Sequence, residues 1–215
     1  ILTCAGASIC GAAAVLATES VVRNSPHKGA VAVATVVLFG TLSMFLYPLL
    51  YQADLVPLNL QEMGVYIGGS LYEVAHVVAA GNAISQDTAE TAVIVKMIRV
   101  MLIAPFLIIL SYQLAKSRDT DETNGGTGLV IPWFAVMFLV VAGVNSLHIV
   151  SIGTVKVINA IDTFALTIAM CALGMETSVD KFKGVGLGPI YLAAILFVWL
   201  IFGGFAITKG VLAIQ

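Results

Sequence analysis

A carboxylic acid and an imidazole stand three residues apart in an apolar stretch, GGSLYEVAHVVAAG at residues 68–81. Helical spacing puts Glu73 and His76 on one face with Gly69 and Ser70. A charge in the hydrocarbon core costs at least about 2.5–3.5 kcal/mol, so it persists where it is paired, hydrated or functional. Histidine titrates at about 6.5 in water, so the pair predicts a proton relay or a cation site. The alternative is a structural hydrogen bond that fixes a broken helix.

Two cations follow at the same spacing in the next apolar stretch, Lys96 and Arg99. They are candidates for binding an anionic substrate, since the arginine fork suits a planar or tetrahedral oxyanion. Alternatively, they pair with Glu73, Asp87 or Glu90, or extend to the membrane interface.

Small residues interrupt the first apolar stretch at Gly6, Ser8, Cys10 and Gly11. A helix that restarts after such a break presents free N–H groups and a positive dipole end, which favours an anion. The alternative is close helix packing through small side chains without a ligand.

Asp162 lies inside a late apolar segment, near Asn159, Thr163 and Thr167 at helical spacing. Lys156 is six residues away, too far round the helix for a standard pair. We therefore expect its partner on another helix and include Asp162 among the candidate binding residues.

The sequence carries no enzyme, cofactor or metal signature. It lacks GxSxG, HExxH, P-loop and dinucleotide motifs, so we expect no enzyme activity and no cofactor. Cys4, Cys10 and Cys171 lie in apolar runs without CxxC spacing, which is typical of small packing residues rather than metal ligands or disulfides.

The composition excludes a soluble cytosolic enzyme. Hydrophobic residues make up 60% and charged residues 10% of 215, and a soluble domain has about 45–50% and about 25%. The natural surroundings are a lipid bilayer, and a net charge of −2 offers no basic field for nucleic acid.

Seven apolar segments predict an all-α polytopic membrane protein, a helix bundle in a single transmembrane domain over 1–215. Two of them, 2–18 and 64–82, are short and rich in small residues, which predicts broken or re-entrant helices. The polar loop 116–128 is expected to be flexible and cytoplasmic. The other five segments are 30–51, 89–115, 129–150, 155–176 and 186–208.

Loop charges favour a re-entrant segment 64–82. If it returns to the side it entered from, six basic residues share one side, which the positive-inside rule makes cytoplasmic. If it crosses the membrane, they are divided. The six are Arg23, Lys28, Lys116, Arg118, Lys181 and Lys183.

A faint internal repeat relates the two short segments. At an offset of 62, residues 6–17 fall on 68–79, and Gly, Ser, Ala, Val and Ala match without a gap. If both segments enter from opposite faces, the repeats are inverted, an architecture that recurs in transporters.

At these residues the chain resembles the YeiH-type family of bacterial inner-membrane proteins, often labelled sulfate exporters. The resemblance covers nearly the whole chain and is carried by GASICGAAAVLATESVV, GSLYEVAHVVAAG, AVIVKMIRVMLIAPFLIILS and INAIDTFALTIAMCALGMET. It implies a secondary-transporter fold with inverted repeats and crossed broken helices, distantly similar to bile-acid symporters and cation/proton antiporters. Family members are longer at the N-terminus, so we expect a preceding portion before Ile1.

One departure from the family pattern concerns the acid and its neighbours. The pattern often reads S-x-H-E-V-A-Q-V, and here Tyr72 replaces the histidine and His76 the glutamine, whereas Glu73 is kept. If the usual histidine contributes to the mechanism, its role here is either lost or taken over by His76.

These observations together predict a multi-pass protein of the bacterial inner membrane that transports a small anion, sulfate or a sulfonate, coupled to H⁺ or Na⁺. We expect the site where segments 2–18 and 64–82 meet. The alternatives are a passive channel and a non-transporting scaffold or sensor. A homo-oligomer is compatible with the sequence.

Overall fold

A computed structural model describes residues 1–22, 26–118, 151–176 and 188–213, with single positions between 137 and 147. Loop residues 119–128, Arg23, Lys181 and Lys183 lie outside these ranges, as does most of the predicted segment 129–150. The described residues form helices and connections without a strand, which confirms the all-α class. The helices are α1 Leu2–Ser8, α2 Ala12–Val22, α3 Pro26–Gln52, α4 Leu60–Ser70, α5 Val74–Asn82, α6 Gln86–Met101, α7 Ile103–Arg118, α8 Ile152–Glu176 and α9 Gly188–Leu212.

Three described stretches are long and apolar enough to cross a membrane: Lys28–Gln52, Gln86–Leu114 and Gly188–Val211. The second contains the junction of α6 and α7 at Leu102, which keeps a helical conformation with φ −67° and ψ −10°. Pro105 explains the interruption, because it has no N–H to donate to the carbonyl four residues earlier.

Helix α4 runs parallel to α6. At its start, the Thr88 hydroxyl donates to the Leu60 carbonyl at 3.0 Å. Beyond its end, Lys96 Nζ donates to the Leu71 carbonyl at 2.7 Å. The two helices therefore run in the same direction.

Helix α5 runs the opposite way. A Cβ built on Gly81, near its end, would lie 2.9 Å from the Cβ of Ala89, near the start of α6. The two half-helices thus enter beside the first turns of α6, reach Lys96 and return. Segment 64–82 is therefore a helical hairpin that folds back on itself, which is the shape that a re-entrant segment requires.

The first apolar segment also folds back on itself. A Cβ on Gly6 would lie 2.7 Å from Val15 Cγ2 and 3.0 Å from Val36 Cγ2. A continuous helix would separate positions 6 and 15 by about 13 Å along its axis. Further along α2, Glu19 packs against Gly29, so α2 runs antiparallel to α3.

The two hairpins occupy successive halves of α3. Gly29 and Val36 contact the first hairpin, and Gly40 contacts His76 of the second. Tyr47 then stacks on Tyr66 of α4 with ring centroids 4.8 Å apart. The first hairpin therefore opens towards the start of α3 and the second towards its end.

Helix α7, which continues α6, packs against the first hairpin. Ile103, Ala104 and Leu107 of α7 pack in one cluster with Ala14 and Val21 of α2. Residues 1–52 and 60–118 thus form two repeats, each a helical hairpin followed by a long helical stretch, in opposite orientations. The breaks, residues 9–11 and 71–73, are 62 positions apart (71 − 9), so the predicted repeat has the correct register and is inverted.

A capping box begins α4. The Asn59 side chain accepts from the Glu62 N–H at 2.9 Å, and Glu62 accepts from the Asn59 N–H at 2.8 Å. Asn59→Ala is expected to lower the free energy of unfolding by about 1 kcal/mol. Unfolding in mixed micelles measures this, with Gln86→Ala as control, because it removes only an exposed bond to Glu90. Equal effects in both variants would contradict a contribution from the cap.

Candidate functional site

The tips of the two hairpins meet at the ammonium group of Lys96. Its Nζ donates to the Ile9 carbonyl at 2.9 Å and to the Leu71 carbonyl at 2.7 Å, so it holds one acceptor from each tip. The side chain is completely buried. Among the described residues no carboxylate oxygen lies within 4.0 Å of this amine, so the alternative pairing with an acid is not found there.

Arg99, one helical turn further, joins the same tips. Its donors reach the last carbonyls of both entering half-helices, with Nε on Ser8 at 3.2 Å, Nη2 on Ala7 at 3.0 Å, and Nη1 on Gly69 at 2.6 Å, Leu71 at 3.0 Å and Gly68 at 3.4 Å. A helix that ends inside a protein leaves carbonyls without partners and a negative dipole end. The two cations of α6 therefore cap the ends of α1 and α4.

Glu73 makes the complementary contact. Its Oε1 accepts from the Ala12 N–H at 3.2 Å, at the positive start of α2. Only 7% of the residue is exposed. Gly11 permits this approach, because it has φ +73° and a Cβ there would collide with Glu73 Cγ.

His76 lies between the Glu73 carboxylate and helix α3. Its Nδ1 lies 3.8 Å from Glu73 Oε2, beyond hydrogen-bonding distance, and Nε2 lies 3.4 Å from Thr41 Oγ1. The residue is 2% exposed, and Nδ1 has no hydrogen-bond partner among the described residues. A small movement of the carboxyl would bring Glu73 and His76 into contact.

The structure gathers nine of the ten predicted site residues at or beside the tips, but some play other parts than predicted. Ser8 contributes its carbonyl, while its side chain is exposed. Cys10 packs in an apolar cluster, and the Ser70 hydroxyl donates to the Tyr66 carbonyl. Gly6 provides the close approach of α1 to α2 and α3.

Asp162 is not brought to the tips. It lies on α8 with an exposed side chain, and α8 has no extensive contact with the other described helices. The structure thus separates it from the nine other predicted residues.

Sequence reasoning missed two polar residues near the tips. Tyr72 is 1% exposed and its hydroxyl has no hydrogen-bond partner in the described ranges, and Thr41 is the neighbour of His76. The resemblance pointed to position 72 only as a departure from a pattern, and Thr41 gave no signal in an apolar helix. Within the described ranges, no three His, Cys, Asp or Glu side chains converge as a metal site would require.

A family model described as "Conserved hypothetical protein 698" matches residues 1–193. No solved structure matches the chain.

Curated membrane proteins match almost all of the chain. It is 47% identical over 211 residues to a UPF0324 membrane protein of Bacteroides thetaiotaomicron, covering 97% of this chain and 63% of that protein. A UPF0324 membrane protein of Pseudomonas aeruginosa is 51% identical over 218 residues, covering 99% and 61%. The UPF0324 inner membrane protein YeiH of Escherichia coli is 50% identical over 206 residues, covering 95% and 58%. The chain therefore spans about three fifths of the length of these relatives.

Proposed function

Since the chain belongs to the conserved hypothetical protein 698 family of UPF0324 membrane proteins, we propose that it forms part of a secondary transporter for a small anion in the bacterial inner membrane. The observation that carries the proposal is the meeting of two oppositely entering hairpin tips at Lys96. Inverted repeats with broken helices that meet at a central site are a recurring architecture for alternating access.

The charges at the tips favour an anion. Lys96 and Arg99 stand against the single carboxylate of Glu73, which leaves one positive charge in excess. Arginine has five N–H donors, and one on Nη2 of the half-buried Arg99 carries no hydrogen bond to the described residues. A tetrahedral oxyanion such as sulfate or a sulfonate would bind this N–H together with free N–H groups at the half-helix starts. In this proposal Glu73 and His76 carry the coupling to H⁺ or Na⁺.

One observation favours a second candidate, a non-transporting scaffold or sensor. Lys96, Arg99 and Glu73 all bind groups of the chain itself, as a purely structural set of charges would. Such a protein would place the cations at the tips only to hold the two hairpins together.

Counterflow in liposomes separates these functions. The full-length protein is reconstituted with unlabelled sulfate inside, and the entry of labelled sulfate is followed. A transporter gives saturable uptake that internal sulfate accelerates, and Glu90→Gln, at an exposed position of α6, should leave this uptake unchanged. A channel would give linear uptake indifferent to internal sulfate, and a scaffold would match protein-free vesicles. Either result would contradict the proposal.

A further inference from the structure

We infer that Glu73 occupies the position of the transported anion, so that the anion binds together with a proton on Glu73, and that H⁺ rather than Na⁺ is the coupling ion. This inference rests on the proposed function and names how its site is coupled. It follows from what Glu73 binds and from which oxygens the two cations already hold.

The start of α2 is bound by an anion that the protein itself supplies. Glu73 Oε1 accepts from the Ala12 N–H, and Gly11 before it leaves the space that the Glu73 side chain fills. A substrate oxyanion attracted by the same N–H groups and dipole must compete with a buried carboxylate. Protonation removes the negative charge of this competitor.

The protonated acid has an acceptor nearby. His76 Nδ1 is buried, forms no hydrogen bond within the part of the chain that the structure describes, and lies 3.8 Å from Glu73 Oε2. One proton taken from water converts the carboxylate to a carboxylic acid, whose O–H can turn to donate to Nδ1 of the neutral imidazole. The Ala12 N–H is then released to the incoming anion, and no other bond changes.

The oxygens that Na⁺ would need are already bound. Sodium sites at broken helices use carbonyls of half-helix ends. Here the carbonyls of Ser8, Ile9 and Leu71 accept from Lys96 or Arg99. The two side-chain cations therefore stand where a metal cation would bind, which leaves protonation as the way to neutralise Glu73.

The groups that face Glu73 come from every element around it. His76 lies on its own hairpin, Cys10 on the opposite tip and Lys96 on α6, and among the described side chains of α3 the uncharged Thr41 lies beside His76. The carboxyl of Glu73 is the one acidic side chain in this group apart from the thiol, so it is the expected site of the coupled proton.

Binding of sulfate, which stays a dianion near neutral pH, to the purified full-length protein tests the inference at about pH 5 and about pH 8, the limits between which an ordinary histidine changes charge. Where Glu73 is ionised, the apparent Kd should rise about tenfold per pH unit, the slope for one linked proton. Replacing Na⁺ with choline should not change it. In Glu73→Gln, which mimics the protonated acid, the Kd should be equal at both pH values and close to the low-pH value of the wild type. Glu90→Gln should behave as the wild type.

Any other result contradicts either the inference or the proposed function. Wild-type binding that ignores pH, or that tightens with Na⁺, overturns the inference while transport of an anion stands. Unchanged pH dependence in Glu73→Gln also overturns it. If that variant does not fold, Glu73→Asp substitutes for it, because its shorter carboxylate competes less and should weaken the loss of affinity at high pH. Absence of both sulfate binding and counterflow in the wild type contradicts the proposed function itself.

Discussion

Replacing Lys96 with methionine is expected to lower the free energy of unfolding by about 1–3 kcal/mol, because it leaves one buried carbonyl without its side-chain donor. That carbonyl belongs to Ile9 at the tip of the first hairpin, whereas the Leu71 carbonyl of the second tip keeps its bond from Arg99 Nη1 at 3.0 Å. The substitution therefore also removes a connection between the two inverted halves. Unfolding of the purified protein in mixed micelles measures the change.

Lys28→Met is the matched control. Lys28 is exposed near the start of α3, and a surface substitution of this kind changes stability by about 0.5 kcal/mol or less. Wild-type stability in Lys96→Met would show that the tip carbonyls do not depend on the amine.

Gly11→Ala is expected to destabilise the protein by about 2–5 kcal/mol. A residue with a Cβ pays about 1–2 kcal/mol in the left-handed conformation that φ +73° requires. The new methyl group also collides with the side chain of Glu73, and such overpacking costs about 1–3 kcal/mol. The same unfolding measurement applies, and loss of sulfate binding should accompany the loss of stability.

Two further variants test these two costs. The first carries neither the collision nor a positive φ, and the second keeps the positive φ without the collision. Gly69 lies at the end of α4 with open space around it, so Gly69→Ala should stabilise the protein by about 0.5–1 kcal/mol. Adding Glu73→Ala to Gly11→Ala removes the collision but not the strained φ, so the two substitutions should be non-additive. Additive effects would show that Gly11 and Glu73 do not contact each other.

The two repeats, residues 1–52 and 60–118, have similar folds but contribute different chemical groups to the site. The second supplies Glu73, His76, Lys96 and Arg99, and the first supplies backbone carbonyls and the Ala12 N–H. At the position equivalent to Glu73 by the offset of 62, the first half has Gly11. The two repeats therefore form one site, in which Glu73 of the second repeat fills the space that Gly11 of the first repeat leaves. They do not form two equal sites.

The sequence by itself determined the class of the protein and most of the residues that lie at the candidate site. A composition of 60% hydrophobic and 10% charged residues leaves too little polar surface for water, so apolar helices in a bilayer follow. The cost of burying a charge singled out Glu73, Lys96 and Arg99, and small residues at a repeated spacing located both breaks.

Only the tertiary structure decided how these parts connect. The acceptors of Lys96 and Arg99 are backbone carbonyls, and since every residue has one, no sequence pattern identifies which will be left unpaired. The first hairpin lies against α6 through contacts that are distant in sequence, such as the bond from Lys96 to the Ile9 carbonyl. Asp162 shares the residue type of a site acid but lies on a helix that does not reach the tips, and Thr41 gains its place beside His76 only through packing.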